Sequence, residues 1–185
     1  MAFNCRMGYK VGMAAYLCDL GNLALAHGED EQALRRYAEA LYLGQETGEK
    51  AYASSTFYGL GRAQAALMDF VSARASFEKA ISTFNIGLLF TFFEDPLLQS
   101  LFALEGIACL DAVGQGLEKA SRLLGATQSW HERWQRTRTP RERQERESAV
   151  ATLREKMGED AFYIAWLEGK AMTLKQAIAY AKEDV

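Results

Sequence analysis

Two stretches of this chain, LCDLGNLA (17–24) and FYGLGRAQ (57–64), decide its fold because they are copies of one pattern. Leu20-Gly21 recurs as Leu60-Gly61, and the residues that follow keep their offsets from this pair. Each copy continues with a small residue, an aromatic residue and a second small residue: Ala33, Tyr37 and Ala40, then Ala73, Phe77 and Ala80. The pattern therefore predicts two copies of one supersecondary unit.

Each copy predicts a hairpin of two antiparallel helices, because helices approach closely where a small residue of one faces a large residue of the other. Gly21 and Gly61 are the small residues of the first helices, and Tyr37 and Phe77 are the large residues of the second. A glycine inside a helix costs about 1 kcal/mol relative to alanine, so its recurrence indicates close packing. The predicted repeat-packing residues are Leu20, Gly21, Ala33, Tyr37, Ala40, Leu60, Gly61, Ala73, Phe77 and Ala80.

A third, weaker copy of the pattern follows, with matching residues in both of its halves: Phe102, Gly106, Cys109, Leu110, Ala120, Leu124 and Thr127. The three copies predict hairpins at about residues 8–47, 50–85 and 95–130, which together form one repeat domain over residues 1–130. Residues 131–185 are predicted to form an arginine-rich connector and capping helices that pack on the repeats.

Helix start and stop signals divide this C-terminal part further. Thr139 followed by Pro140 is a typical helix start, and Gly158 is a typical helix end. Apolar residues recur at helical spacing after Gly158, and Thr173 is a second candidate N-cap before a last short helix. The tail is therefore predicted to hold three helices.

The repeated residues resemble the tetratricopeptide repeat, whose signature is Leu-Gly in the first helix and Ala, an aromatic residue and Ala in the second. The usual period is about 34 residues, so the period of 40 here is similar to that of the long-period, MalT-like variety. The resemblance covers about residues 5–130. It implies an all-α fold: a right-handed superhelix of about three hairpins with a C-terminal helical extension.

The tail carries a second resemblance, in strings that include LLGA (123–126), MGEDAF (157–162) and GKAMTL (169–174). These strings are similar to the C-terminal end of bacterial LuxR-type regulators of the signal-transduction ATPase class. The resemblance implies a sensor part that binds a protein, a peptide or an inducer in transcription regulation. The nucleotide-binding and DNA-binding parts of such regulators are not in this sequence.

The first resemblance also marks a partner-binding groove. In tetratricopeptide modules that bind peptides, polar residues beside the signature glycine contact the ligand, and the matching positions here are Asn22, Tyr58 and Arg62. Neighbouring positions such as Cys18 and Leu25 are mostly apolar, which favours a peptide or a helix as the ligand. The alternative is that this face is filled by the chain's own elements or by a second copy of the protein.

Composition and motifs predict a soluble, cytoplasmic domain without catalytic activity. The 49% hydrophobic and 24% charged residues are ordinary for such a domain, and the net charge of −3 argues against an overall electrostatic hold on nucleic acid or on a membrane. The sequence lacks GxxxxGK[ST], HExxH, GxSxG and CxxC motifs. Its three cysteines are far apart and it has two histidines. We therefore expect no catalytic residue, no cofactor and no metal.

Two other functions stay open. Residues 131–147 hold six arginines and four glutamates, a net charge of +2, beside Trp130 and Trp134, so this segment could stack on bases and contact phosphates. The alternative for the same segment is a solvated connector whose arginines and glutamates pair locally. The four phenylalanines in the segment Phe84–Phe93 could instead form the surface of a homodimeric adaptor.

Overall fold

The computed structural model describes residues 2–48, 52–83, 96–114, 116–134 and 138–183. Within these ranges every regular element is an α-helix, which confirms the all-α prediction. The helices in chain order are α1 (Ala2–His27), α2 (Asp30–Thr47), α3 (Ala53–Ala66), α4 (Phe70–Ser82), α5 (Pro96–Val113), α6 (Leu117–Trp134), α7 (Pro140–Met157), α8 (Glu159–Lys170) and α9 (Leu174–Ala181). None of these helices, over the described residues, is both long enough and apolar enough to cross a membrane.

The chain forms two compact units, Met1–Ser100 and Leu101–Val185. The first holds the two clear copies of the repeat, and the second holds most of the weak third copy together with the C-terminal helices. The sequence analysis placed the domain boundary near residue 130, at the end of the third repeat, whereas the compact units are divided after Ser100. The boundary at residue 130 stays a prediction. The right-handed superhelix of tetratricopeptide-like hairpins also stays a prediction.

The first unit is organised around the ring of Tyr37. Helix α1 packs on α2, α3 packs on α4, and α2 also packs on α3. Tyr37, on α2, is 1% exposed and lies in a cluster with small and aliphatic residues of α1, α2 and α3: Ala24, Leu25, Ala33, Leu60 and Ala63. A methyl group at Gly21 would come within 2.7 Å of the Tyr37 ring, and one at Gly61 within 2.6 Å of the Phe77 ring. The paired glycine and aromatic residues therefore contact each other as the repeat predicts.

The two hairpins also turn in the same way. Gly28 ends α1 at φ 77°, and Met68, at the corresponding position of the second copy, follows α3 at φ 65°. The hydrogen bonds match: Glu29 N–H donates to the Ala24 carbonyl and Asp69 N–H to the Gln64 carbonyl, both at 2.9 Å. This is the left-handed turn that commonly ends helices. In the second hairpin this left-handed turn is made by Met68, which has a side chain, whereas the first hairpin uses glycine.

One predicted packing residue is misplaced. Leu20 is 46% exposed, whereas its counterpart Leu60 is 8% exposed. Helix α2 covers the face of α3 that carries Leu60, because α2 packs on both α1 and α3. The corresponding face of α1 is exposed along its described side chains. The prediction that Leu20 packs inside the repeat is therefore wrong, and the reason is its place at the outer side of the first hairpin.

In the second unit, α6 and α8 approach until their backbones touch. A methyl group at Gly125 on α6 would collide with the carbonyl oxygen of Trp166 on α8, and one at Gly169 on α8 would collide with the carbonyl oxygen of Arg122 on α6. Helices α7 and α9 also pack on α6. Thr139 begins α7 and Thr173 begins α9 with capping boxes, so both predicted N-caps are confirmed.

Candidate functional site

The predicted groove residues lie on two helices of the first unit that touch each other. Asn22 is on α1, and Tyr58 and Arg62 are one turn apart on α3. The Arg62 guanidinium carbon is 5.9 Å from the centre of the Tyr58 ring, a distance typical of a cation–π contact. The structure therefore brings Tyr58 and Arg62 together as one polar and aromatic patch.

Tyr37 connects Asn22 to the core. The Tyr37 hydroxyl donates a hydrogen bond of 2.7 Å to the Asn22 carboxamide oxygen. Asn22 is itself exposed, so this bond joins a surface side chain to the buried ring at the centre of the unit. The ring also lies against Gly59, which is next to Tyr58 in α3. Tyr37 therefore contacts both Asn22 on α1 and the backbone of α3 at Gly59, which the repeat pattern did not predict.

Tyr58 and Arg62 are half-buried rather than free on the surface. The Tyr58 ring packs on Phe77 with ring centres 6.0 Å apart and the planes tilted by 39°. Helix α4, which carries Phe77, thus supports the patch from behind. A rigid, partly apolar surface with one cation and one amide suits a peptide segment, whose side chains supply apolar contacts and whose backbone supplies carbonyl acceptors.

A buried charge cluster, which the sequence analysis missed, lies in the second unit. Glu105 on α5 is 5% exposed. Arg138, which directly precedes the N-cap of α7, donates two hydrogen bonds of 2.7 Å to the two Glu105 carboxylate oxygens. His131 Nε2 on α6 is 3.3 Å from Glu105 Oε2, and Arg146 Nε on α7 is 3.6 Å from the same oxygen. Three parts of the chain therefore converge on one carboxylate.

The electrostatics of this cluster keep Glu105 charged. Burial opposes ionisation of the carboxyl group, but the hydrogen bond to His131 and the bonds and charges of Arg138 and Arg146 outweigh burial and lower the Glu105 pKa to about 2. Burial also lowers the Arg146 pKa, against the attraction of Glu105. The ionic cluster joins α5, α6 and α7, with the single carboxylate of Glu105 between two arginine side chains.

Two arginines of the arginine-rich segment, Arg138 and Arg146, are therefore largely buried beside Glu105. Arg146 also donates a hydrogen bond of 2.9 Å to Gln128 and lies 5.1 Å from the Trp166 ring centre. Arg141 pairs with Glu145 at 3.1 Å, and Arg133 lies over the Trp130 ring. Arg136 and the Trp134 side chain are outside the described part of the chain, as is the segment Phe84–Phe93. The sequence analysis had kept open both a nucleic-acid contact and local pairing for these arginines, and it did not foresee Glu105 as their partner.

One signal in the sequence points to Glu105. It is the one charged residue in the stretch PLLQSLFALEGIACL (96–110), and a lone carboxylate in an apolar helix requires a buried partner. Which cations supply that partner cannot be read from local spacing, because Arg138 and Arg146 follow the end of α6, far from Glu105 along the chain.

Of the two cysteines whose side chains are described, Cys18 is buried and Cys109 is partly buried. Burial, with the nearby charges of Glu105 and Glu145, raises the Cys109 pKa far above its usual range, so this thiol stays protonated and is a poor nucleophile. The Cys18 sulfur lies 3.0 Å from the Thr56 hydroxyl in a buried hydrogen bond. Among the described residues, no three His, Cys, Asp or Glu side chains are grouped so that they could hold a metal ion.

No protein-family model, no curated protein and no solved structure matches this chain. Its function is therefore inferred from its own residues and their geometry.

Proposed function

We propose that this chain is a non-catalytic helical repeat module that binds a protein or peptide, and that it is, or derives from, the C-terminal sensor part of a bacterial LuxR-like ATPase regulator. The observation that carries the proposal is the recurrence of one hairpin in the first unit. Both copies use the same glycine and aromatic contact and the same left-handed turn, at one constant offset in the sequence. Repeated hairpins of this kind present extended surfaces for partners.

The binding surface in this proposal is the patch formed by Asn22, Tyr58 and Arg62. Aromatic and arginine side chains dominate the binding energy of protein interfaces because they combine a large contact area with directional polar groups. Tyr58 is already held between Arg62 and Phe77. A ligand would therefore meet a preorganised surface and would lose little side-chain freedom on binding.

Tyr37 could transmit ligand binding at the patch to the packing of the two hairpins. Its ring lies between α1 and α3, and its hydroxyl is bound to Asn22. A ligand that competes for the Asn22 carboxamide would favour arrangements of the two hairpins in which Tyr37 finds another acceptor. The proposed mechanism is thus a shift between arrangements of the repeats that occupancy of the patch controls. An inducer in place of a peptide would act through the same residues.

The test is affinity capture from a cell extract with the full chain as bait. The variant Asn22→Ala/Tyr58→Ala/Arg62→Ala is compared with the matched control Arg35→Ala/Tyr42→Ala/Val71→Ala, whose three positions are all exposed in the same unit. We expect a protein that the wild type and the control retain and the groove variant loses by at least tenfold, as quantified by mass spectrometry. Thermal melting of each bait shows whether the variant is folded.

Equal retention by the groove variant and the control contradicts the proposed surface. Retention of nucleic acid that leaves at moderate salt with all three baits would instead favour the segment at residues 131–147. That alternative has the weaker geometric support, because Arg138 and Arg146 are bound to Glu105 and only 14% and 12% of their side chains are exposed.

A further inference from the structure

Helix α1 carries a stripe of large apolar side chains that faces away from the rest of the first unit. Its members are Tyr9, Met13, Tyr16, Leu20 and Leu23, which are 72%, 39%, 73%, 46% and 53% exposed. Successive members are alternately four and three positions apart, which is the spacing of a helix seam that packs on another helix. We call this set the α1 stripe. Large apolar patches of this kind on a soluble unit mark an interaction surface.

The α1 stripe is almost free of charge. From Tyr9 to Leu23 the described residues include two charged side chains, Lys10 and Asp19. Lys10 pairs with Glu46 on α2 at 2.8 Å, so it is directed to the first unit's own surface. A solvent-exposed helix face normally carries charged residues, as α7 does with exposed Arg143, Glu145 and Glu147. Asp19 is therefore the one exposed charge beside the α1 stripe in this range.

The repeat shows what kind of element covers such a face. Tyr16, Leu20 and Leu23 correspond, in the second copy, to Thr56, Leu60 and Ala63. Those three are 2%, 8% and 0% exposed, and the last two lie in the cluster around Tyr37 of α2. In the second copy this face is therefore covered by a helix. We therefore expect a helix to pack on the same face of α1.

The covering helix cannot resemble α2. Gly59, which makes room for the Tyr37 ring, corresponds to Asp19 in α1, and Thr56 and Ala63 are replaced by the larger Tyr16 and Leu23. The partner must instead leave room for these larger side chains. Helix α1 itself offers such a site at Gly12, where a Cβ atom would meet no atom within 4 Å.

We propose that the α1 stripe is the interface of a homodimer, in which α1 of a second copy packs antiparallel with Tyr16 beside the twofold axis. This alignment places Leu20 of each copy opposite Gly12 of the other, where a Cβ atom would meet open space, and it sets the two Tyr16 side chains next to each other and Tyr9 opposite Leu23. It also pairs the two helix dipoles favourably. The interface is self-complementary, as a twofold interface must be.

The area agrees with a weak but specific dimer. Two tyrosines and three aliphatic side chains at these exposures offer on the order of 500 Å² per copy, so the dimer buries roughly 1,000 Å², near the lower limit for a specific interface. We expect association in the micromolar range. The α1 stripe is separate from the Asn22, Tyr58 and Arg62 patch, so this inference does not depend on the proposed function.

Sedimentation of the full chain over roughly 1 to 200 μM tests the proposal. We expect the wild type to shift from monomer to dimer within this range, and Tyr16→Glu to weaken association at least tenfold. The control Val71→Glu adds the same charge at a position on α4 that is 84% exposed, and it should dimerise like the wild type. A wild type that stays monomeric throughout overturns the proposal, as does a dimer that Tyr16→Glu leaves unchanged.

Oxidative cross-linking tests the alignment in a background where Cys5→Ser removes another thiol of α1. Tyr16→Cys should link to its own copy. Tyr9→Cys alone should not, but a mixture of Tyr9→Cys with Leu23→Cys should link to each other. Efficient linking of Tyr9→Cys to itself overturns the antiparallel arrangement, because only a parallel pair of helices brings residue 9 of both copies together. If the wild type is monomeric and binds a helix of another protein through Tyr16, then the α1 stripe is not a homodimer interface and the proposal is overturned.

Discussion

The ring of Tyr37 lies against the backbone of Gly59, which belongs to the next hairpin. A methyl group at Gly59 would come closer to this ring than any real Cβ contact allows. The contact differs from the one between Tyr37 and Gly21 because it joins two copies of the repeat rather than the two helices of one copy. One aromatic side chain of the first unit therefore contacts a glycine in each of the two hairpins.

Gly59→Ala should destabilise the first unit by about 1–3 kcal/mol, because the buried Tyr37 ring must move and the gain in helix propensity offsets only part of this cost. Gly12→Ala is the matched control, since its Cβ would meet open space. We expect it to stabilise α1 by up to about 1 kcal/mol. Urea unfolding at low protein concentration, followed by circular dichroism, measures both changes. A Gly59→Ala variant as stable as the wild type would contradict the contact.

Met68→Gly should stabilise the hairpin of α3 and α4 by about 1 kcal/mol, because Met68 has a left-handed φ of 65° that a side chain disfavours. Met68 is 71% exposed, so little packing is lost. Gly28→Ala is the reverse change at the corresponding turn and should destabilise by a similar amount. The two free energies of unfolding, from urea titrations, should therefore change in opposite directions. Equal signs would show that the two turns are not equivalent.

Glu105→Gln should destabilise the second unit by about 3–5 kcal/mol, because it leaves Arg138, Arg146 and His131 close together without their carboxylate. Glu145→Gln is the control, since Glu145 is an exposed carboxylate that pairs with Arg141 on the same helix, and its loss should cost about 0.5 kcal/mol or less. Unfolding monitored by tryptophan fluorescence at neutral pH separates the two. Equal stabilities of the two variants would mean that the cluster contributes little.

The same cluster predicts a dependence of stability on pH. The Glu105 pKa is lowered from 4.5 to about 2 by folding, so its contribution is present above pH 4.5 and is lost as the pH falls towards 2. A shift of this size is on the order of 3 kcal/mol. The free energy of unfolding of the wild type should fall over this range by that amount more than that of Glu105→Gln. Parallel curves for the two proteins would argue against an ionised, buried Glu105.

Gly169→Ala should separate α6 from α8, because its methyl group would meet the carbonyl oxygen of Arg122 and backbone cannot yield as a side chain can. We expect a loss of at least about 3 kcal/mol in the second unit. Gly114→Ala is the control in the same unit, since its nearest contacts would be at 3.8 Å. Amide hydrogen exchange of α6 and α8 locates the loss. Unchanged protection in Gly169→Ala would mean that the helices are further apart.

The elements that could be predicted from the sequence are those whose signals are local. Leu-Gly recurs with Tyr37 and Phe77 at one offset, and each aromatic residue does lie against the glycine of its own hairpin. Thr139 and Thr173 cap their helices because an N-cap needs only the next three residues. The pairing of Tyr58 with Arg62 is local as well, since residues four apart share one face of a helix.

The rest depends on contacts between distant parts of the chain. The repeat period assigns Leu20 the role of Leu60, although only Leu60 has α2 against its face. The Tyr37 bond to Asn22 and the Glu105 cluster join residues from separate helices, and their residue types alone are also compatible with solvent exposure. For these residues the packing of whole helices, rather than the local pattern, determines burial.

Gly59 in α3 corresponds to Asp19 in α1, and this difference determines which of the two hairpins can follow another hairpin. A hairpin can follow another only if its first helix accepts the aromatic ring of the preceding one, and Gly59 does so in α3. A duplicated α3–α4 hairpin would offer this glycine again to the ring of Phe77, so the array could be lengthened by tandem insertion of that hairpin. A duplicated α1–α2 hairpin would place the Asp19 carboxylate against Tyr37, where it would be buried at a cost. Gene duplication or protein engineering could thus lengthen this scaffold with copies of the α3–α4 hairpin but not with copies of the α1–α2 hairpin.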